Sequence, residues 1–231
     1  MERQHNLDGI AALAALPAEF RRTCAARCNW REFKPHQEIV GHQDPSRNVF
    51  FLIRGKASPT VYSAGGKQVK FLDVNEGDMF GAWAAIDSEP RSASVEAITH
   101  CTVASMSQDM FWEIVHSDRA VVESVLKLLV GQVRQLSERV VVTITQSVRK
   151  RIVYELLLMA EKVVTEEGRA VIYPQPTGAD LAARVGTARE TVVRELGDLE
   201  KEGLIERKDG RVLVIPDIEK LRLVVREPSD D

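Results

Sequence analysis

Apolar positions change rhythm along this chain. Over the first thirty residues Leu13, Leu16 and Phe20 recur at helical intervals, which predicts a helix or two with these side chains in the core. From Gln37 to Ser107 the pattern shortens to strand-like runs at Val49–Ile53, Pro59–Tyr62, Val69–Leu72 and Cys101–Ala104. Arg54-Gly55, Ala64-Gly65-Gly66 and Asn75-Glu76-Gly77-Asp78 punctuate them with turn chemistry. Short strands at this spacing predict a β-sandwich or barrel-like domain. Helical spacing returns at Phe111–Val115.

A long helix follows, from about Val121 to Ser147. Leu126, Leu129, Val133, Leu136, Val140 and Thr143 fall on alternating steps of three and four. Val133 and Val140 then take heptad position a, and Leu129 and Leu136 position d. β-Branched a with leucine d favours a parallel two-stranded coiled coil, so Leu126, Leu129, Val133, Leu136 and Val140 are the predicted dimer interface. Packing of the helix on its own β-domain would use a similar stripe. The β-branched and hydroxyl residues of Thr143–Ser147 weaken helix propensity and predict a hinge. A further helix is expected over Arg149–Val164, with Ile152, Leu156, Met159 and Val163 inward.

Beyond it, Thr177-Gly178-Ala179-Asp180 has the spacing of an N-terminal cap, with Leu181, Ala182 and Val185 on the inner side of a short helix. Gly186 supplies a turn. Thr187 is then the expected cap of a second helix, with Glu190 completing its capping box. Val192, Leu196 and Leu199 are the buried stripe of that helix, which leaves Arg189, Glu190, Val193 and Arg194 facing outward. Two helices joined through a glycine turn are the sequence form of a helix-turn-helix. Gly203–Pro216 reads as two strands around Asp209-Gly210, a type I′ hairpin signal, and so as a wing. An arginine can grip the O6 and N7 edge of guanine, and a glutamate can accept from cytosine N4. A solvated Arg/Glu surface explains the charges taken alone. Their setting between a glycine turn and a wing favours double-stranded DNA, with Arg184, Thr187, Arg189, Glu190, Val193 and Arg194 as contacts.

Composition narrows the classes. The 231 residues are 44% hydrophobic with a formal charge of −3, so no global basic field draws the chain onto phosphate. Local clusters must do that: Arg184, Arg189 and Arg194, with Lys208 and Arg211 on the wing. No run approaches the ~20 apolar residues that span a bilayer, and no basic segment precedes the N-terminal Ala/Leu stretch as in a signal peptide. Three cysteines, Cys24, Cys28 and Cys101, suit a reducing compartment better than a disulfide framework; a cytoplasmic protein is expected. His5, His36, His42, His100 and His116 have no metal-binding spacing, so no metal site is predicted. No nucleophile elbow or phosphate loop supports an enzyme.

β-Domain, long helix and winged helix-turn-helix in one chain resemble the cyclic-AMP receptor (CRP/FNR) family of transcription regulators over nearly the whole length. The expected fold is α+β: a cyclic-nucleotide-binding-like β-roll with N-terminal helices (1–118), a dimerisation helix and hinge (119–146), and a winged helix-turn-helix (147–231). Arg189-Glu190-Thr191-Val192 with Arg194 is similar to the family's recognition helix. That resemblance implies guanine contacts from both arginines and a cytosine contact from Glu190, in a palindrome of TGTGA-like half-sites. It also implies a homodimer and RNA polymerase as a partner. Phe80-Gly81 followed by Arg91-Ser92-Ala93 resembles the family's phosphate-binding cassette. The implied effector site is Gly81, Ala82, Trp83, Arg91, Ser92, Leu136 and Ser137, with a cyclic nucleotide, cAMP or cGMP, as ligand.

Two positions depart from that pattern. Ala82 stands where the family has a glutamate that accepts the ribose hydroxyl. Leu136 replaces the threonine that reads the adenine amino group, beside Ser137, which matches a serine reaching the base across the dimer. Trp83 would stack on a base or fill the space. Three readings of the pocket follow: a cyclic nucleotide held by its phosphate, another small anionic effector, or a regulator that works without ligand. The family's iron–sulfur sensors use four cysteines, one more than this chain has, and His100-Cys101 is a poor haem pair within a strand-like run. A cyclic-nucleotide-domain module whose helix-turn-helix contacts only protein is the contrasting class.

Overall fold

A computed structural model describes residues 5–161 and 163–226. The chain divides into two compact units, Met1–Arg134 and Gln135–Asp231. The first carries α1 (Ala18–Arg27), β1 (Asn29–Phe33), β2 (Glu38–Val40), β3 (Val49–Arg54), β4 (Lys56–Tyr62), β5 (Gln68–Lys70), β6 (Val74–Asn75), β7 (Met79–Phe80), α2 (Ala82–Asp87), β8 (Ser94–Ala97), β9 (Cys101–Met106) and α3 (Gln108–Ser117). The long helix α4, Arg119–Thr145, begins in this unit and ends in the next.

Its strands form two antiparallel sheets, ordered β1-β9-β3-β7 and β2-β8-β4-β5, with β6 also paired to β4. β3 explains why Val49–Ile53 reads as an unbroken apolar run. Phe51 packs into a cluster with Leu7, Leu13, Leu16, Met110 and Phe111. Leu52, its neighbour, points into a second cluster with Phe33, Val95, Ala97 and Val103. A strand covered on both faces has no reason to alternate. Leu13 and Leu16 are buried and Phe20 is packed against the same cluster, as expected, but only Phe20 is on α1; Leu13 ends a short 3₁₀ turn and Leu16 lies outside any helix.

The second unit adds α5 (Val148–Ala160), β10 (Ala170–Ile172), α6 (Gly178–Val185), α7 (Arg189–Lys201), β11 (Glu206–Lys208), β12 (Val212–Ile215) and α8 (Ile218–Arg226). One core joins Ile152 and Leu156 of α5 to Leu181 and Val185 of α6, Val192, Leu196 and Leu199 of α7, and Leu213 and Ile215 of β12. The expected wing is the β11–β12 hairpin, extended by β10. Asp209 and Gly210 both have positive φ, 52° and 62°, as a type I′ turn requires. One expectation fails here: α5 stops at Ala160, so Val163 is not on its inner face and is 44% exposed.

Candidate DNA-reading helix and effector cassette

Local capping sets the start of α6. The Thr177 hydroxyl accepts from the Asp180 N–H at 3.0 Å, and the Asp180 carboxylate accepts from the Thr177 N–H at 3.2 Å, a reciprocal capping box. The second expected box does not form. α7 starts at Arg189 with Ala188 as a cap that makes no side-chain bond. Thr187 belongs instead to the turn: its N–H and that of Gly186 both donate to the Ala182 carbonyl. Closing α6 therefore takes the residue that would have capped α7.

The faces of α7 are cleanly divided. Val192, Leu196 and Leu199 are buried, whereas Arg189, Glu190, Val193 and Arg194 are exposed. At about 100° per residue Glu190 and Arg194 lie opposite the buried stripe and Val193 beside them, while Arg189 lies on the stripe's flank and is exposed because it opens the helix. Glu190 sits in the first turn, where a carboxylate complements the helix dipole. Arg194 lies 3.3 Å from Glu195 with its side chain 68% exposed. α6 crosses close to this face: a Cβ added to Gly178 would stand 3.2 Å from Val193 Cγ2 and 3.4 Å from Arg189 Cγ.

Arg184 corrects the sequence reading. It is 8% exposed, with Nη1 3.9 Å from Glu155 Oε2 on α5, and is not part of the outward face. Helical position alone hid this, because the inner face of α6 carries one charge that its partners absorb. On the wing, Lys208 and Arg211 are exposed, and Lys208 lies 3.1 Å from Glu206.

In the first unit, Gly81 and Arg91 are brought together as the cassette reading requires. Arg91 is only 3% exposed. Its Nη1 donates to the Gly81 carbonyl at 2.7 Å. Its Nη2 donates to the Asn48 carbonyl at 2.7 Å and to Ser46 Oγ at 3.2 Å. The guanidinium also lies over the Phe50 ring, 5.2 Å from its centroid. Burial lowers the Arg91 pKa, and Asp44 opposes that shift. Nε is buried with no hydrogen-bond partner. An anion arriving here meets a desolvated cation, but it competes with three protein acceptors for the terminal nitrogens. Ser92 is exposed beside it.

The neighbouring positions offer little to a sugar or base. Ala82 is 4% exposed and sits in the apolar cluster with Met79 and Ala85, so position 82 itself offers no hydrogen-bond acceptor from its side chain. Trp83 is 44% exposed and its Nε1 donates to Gln132 Oε1 of α4 at 3.3 Å. Leu136 and Ser137 lie on the part of α4 that belongs to the second unit. Arg91 is thus a buried cation beside Gly81, and position 82 presents only a methyl group.

Gly81 holds the cassette's shape. Its φ is +75°, and an added Cβ would stand 2.7 Å from Arg91 Nη1 and 3.0 Å from Phe50 Cδ2. Gly81→Ala should therefore destabilise the first unit by about 1–3 kcal/mol, measured by chemical denaturation. A change within ~0.5 kcal/mol would mean that the turn relaxes freely.

Along α4, Leu126, Val133 and Val140 are 55%, 61% and 57% exposed, in the seven-residue rhythm expected of a seam. Leu129 is half-buried and packs partly against the core of its own unit. Leu136 is half-buried. Val130, Val141 and Ile144 extend the exposed apolar face.

Comparison with known proteins gives two domain matches. Residues 30–118 match the cyclic nucleotide-binding domain, and residues 150–224 match the Crp-like helix-turn-helix domain. The chain is 27% identical over 191 residues to the CRP-like cAMP-activated global transcriptional regulator of Mycobacterium tuberculosis, covering 82% of this chain and 85% of that one. It is 25% identical over 194 residues to the cAMP-activated global transcriptional regulator Vfr of Pseudomonas aeruginosa, covering 82% and 90%. The solved structure of FixK2 from Bradyrhizobium japonicum shares the fold, with a TM-score of 0.76 at 18% identity, covering 87% of this chain and 99% of that one.

Proposed function

The chain belongs to the CRP/FNR family of transcription regulators, and we propose that it acts as a homodimer reading a palindromic, TGTGA-like DNA site. The outward quartet of α7 carries this reading: Arg189, Glu190, Val193 and Arg194 are all exposed on a helix whose Val192, Leu196 and Leu199 are buried. Arg189 and Arg194 each take a guanine, and Glu190 takes a cytosine. Paired half-sites one helical turn apart suit a two-fold dimer. RNA polymerase is the protein partner, and the cytoplasm is the compartment. Gel-shift titration of the full chain on a palindrome and on scrambled DNA tests this. Equal affinity for both would reject sequence reading.

The effector is small and anionic, held at Arg91 and weakly read elsewhere. A desolvated guanidinium beside Gly81 supports the anion, and cAMP activation of the relatives supports a cyclic nucleotide. Loss of the ribose acceptor at Ala82 costs about 1–3 kcal/mol, or roughly tenfold to a hundredfold in affinity. With Leu136 in place of a polar reader of the base, cAMP and cGMP should bind within about tenfold of one another by calorimetry. A hundredfold preference would place base recognition elsewhere. Binding of neither nucleotide, with sequence-specific DNA binding intact, would reject a cyclic nucleotide and leave the other two readings, another small anion or a regulator that works without ligand.

A further inference from the structure

Among the described residues, Val193 is the one large apolar side chain of α7 that is exposed, at 49%. Neither local preference nor the core calls for it. A β-branched residue lowers helix propensity, and the core of its unit is built from Val192, Leu196 and Leu199 without it. At about 100° per residue Val193 falls between Arg189 on one side and Glu190 and Arg194 on the other. It is nevertheless held in place. A Cβ added to Gly178, the first residue of α6, would stand 3.2 Å from Val193 Cγ2. Gly178 does not have a positive φ, so space and not backbone conformation favours glycine there. The start of α6 thus packs against one methyl group of Val193, and stiffness at χ1 fixes the other with it.

We propose that Val193 is a specificity-determining residue that reads the C5 methyl group of a thymine, with Gly178 as the residue that positions it. That methyl is the apolar group on the major-groove edge of a base pair, and cytosine lacks it. This role rests on the proposed function. The two arginines that bracket Val193 there read two guanines, and a TGTGA-like half-site holds a thymine between its guanines. A charged side chain at position 193 would leave the methyl group in water, whereas a valine buries it against its own. The half-site is thereby closed to cytosine at that step.

Deoxyuridine pairs as thymine does and lacks only the methyl group, so it isolates the contact. Gel-shift titration of the full chain uses the palindrome with each thymine replaced in turn, in both half-sites. Replacement between the guanines should weaken wild-type binding by about fourfold per half-site, and so roughly tenfold for the pair. Val193→Ala is exposed and puts a stronger helix former in place, so it should fold. It should bind the thymine site more weakly and discriminate thymine from deoxyuridine by less than about twofold. Gly178→Ala should keep the preference for the palindrome and shrink the wild-type thymine-to-deoxyuridine ratio. A wild type that prefers the palindrome yet is indifferent to deoxyuridine between the guanines would overturn the thymine contact and keep the proposed function. So would a Val193→Ala variant with the full ratio. An unchanged ratio in Gly178→Ala would overturn its positioning role. Equal wild-type affinity for the palindrome and for scrambled DNA would overturn the thymine contact and the proposed function together.

Discussion

Replacing Arg189 and Arg194 together by alanine should leave a folded protein that binds DNA without sequence preference. Both side chains are exposed, and neither joins the core formed by Val192, Leu196 and Leu199, so stability should change by less than about 0.5 kcal/mol. Each bidentate guanine contact discriminates by about 1–3 kcal/mol. In the proposed dimer the two arginines make four such contacts, so affinity for the palindrome should fall by roughly 10³–10⁷-fold, to that of scrambled DNA, which is itself much less affected. The pattern across sequences decides the assignment. A uniform loss, with the salt dependence falling by about one unit per arginine, would make them phosphate contacts.

The second large effect belongs to α4. Val133→Asp with Val140→Asp places carboxylates on two positions that are 61% and 57% exposed in the single chain and buried in the proposed coiled coil. An isolated charge in such a seam is unaffordable without a partner, so sedimentation should show a monomer at micromolar concentration. DNA affinity should fall by about 10²–10⁴, because two half-sites no longer bind as one. A variant that remains dimeric would move the interface away from this face. Thermal unfolding of the separate chain should change little, since neither valine belongs to a core cluster.

How much of this was legible in the sequence depended on the range of the interactions involved. Thr177 and Asp180 are three residues apart and bond each other, so their capping box could be read directly. Asp209-Gly210 likewise specifies its own turn. Thr187 had the same local signal as Thr177, but its N–H is claimed by Ala182 in the preceding helix. Arg184 looked like a surface cation because its partners, Glu155 and Arg139, lie far away in sequence. Leu129 fitted the heptad and also packs partly against the first core, since a periodic stripe does not say which neighbour covers it. β1 was missed because its Asn29–Phe33 pattern buries only Phe33 fully and so carries no alternation.

Arg91 was picked out as a ligand residue, yet its three bonds run to Gly81, Asn48 and Ser46 of its own chain. It ties two loops together whether or not an anion arrives. Selection for a stable domain would therefore retain this arginine in a descendant that had abandoned its effector altogether. The acceptor at Ala82, which has no such second duty, would be the first to go.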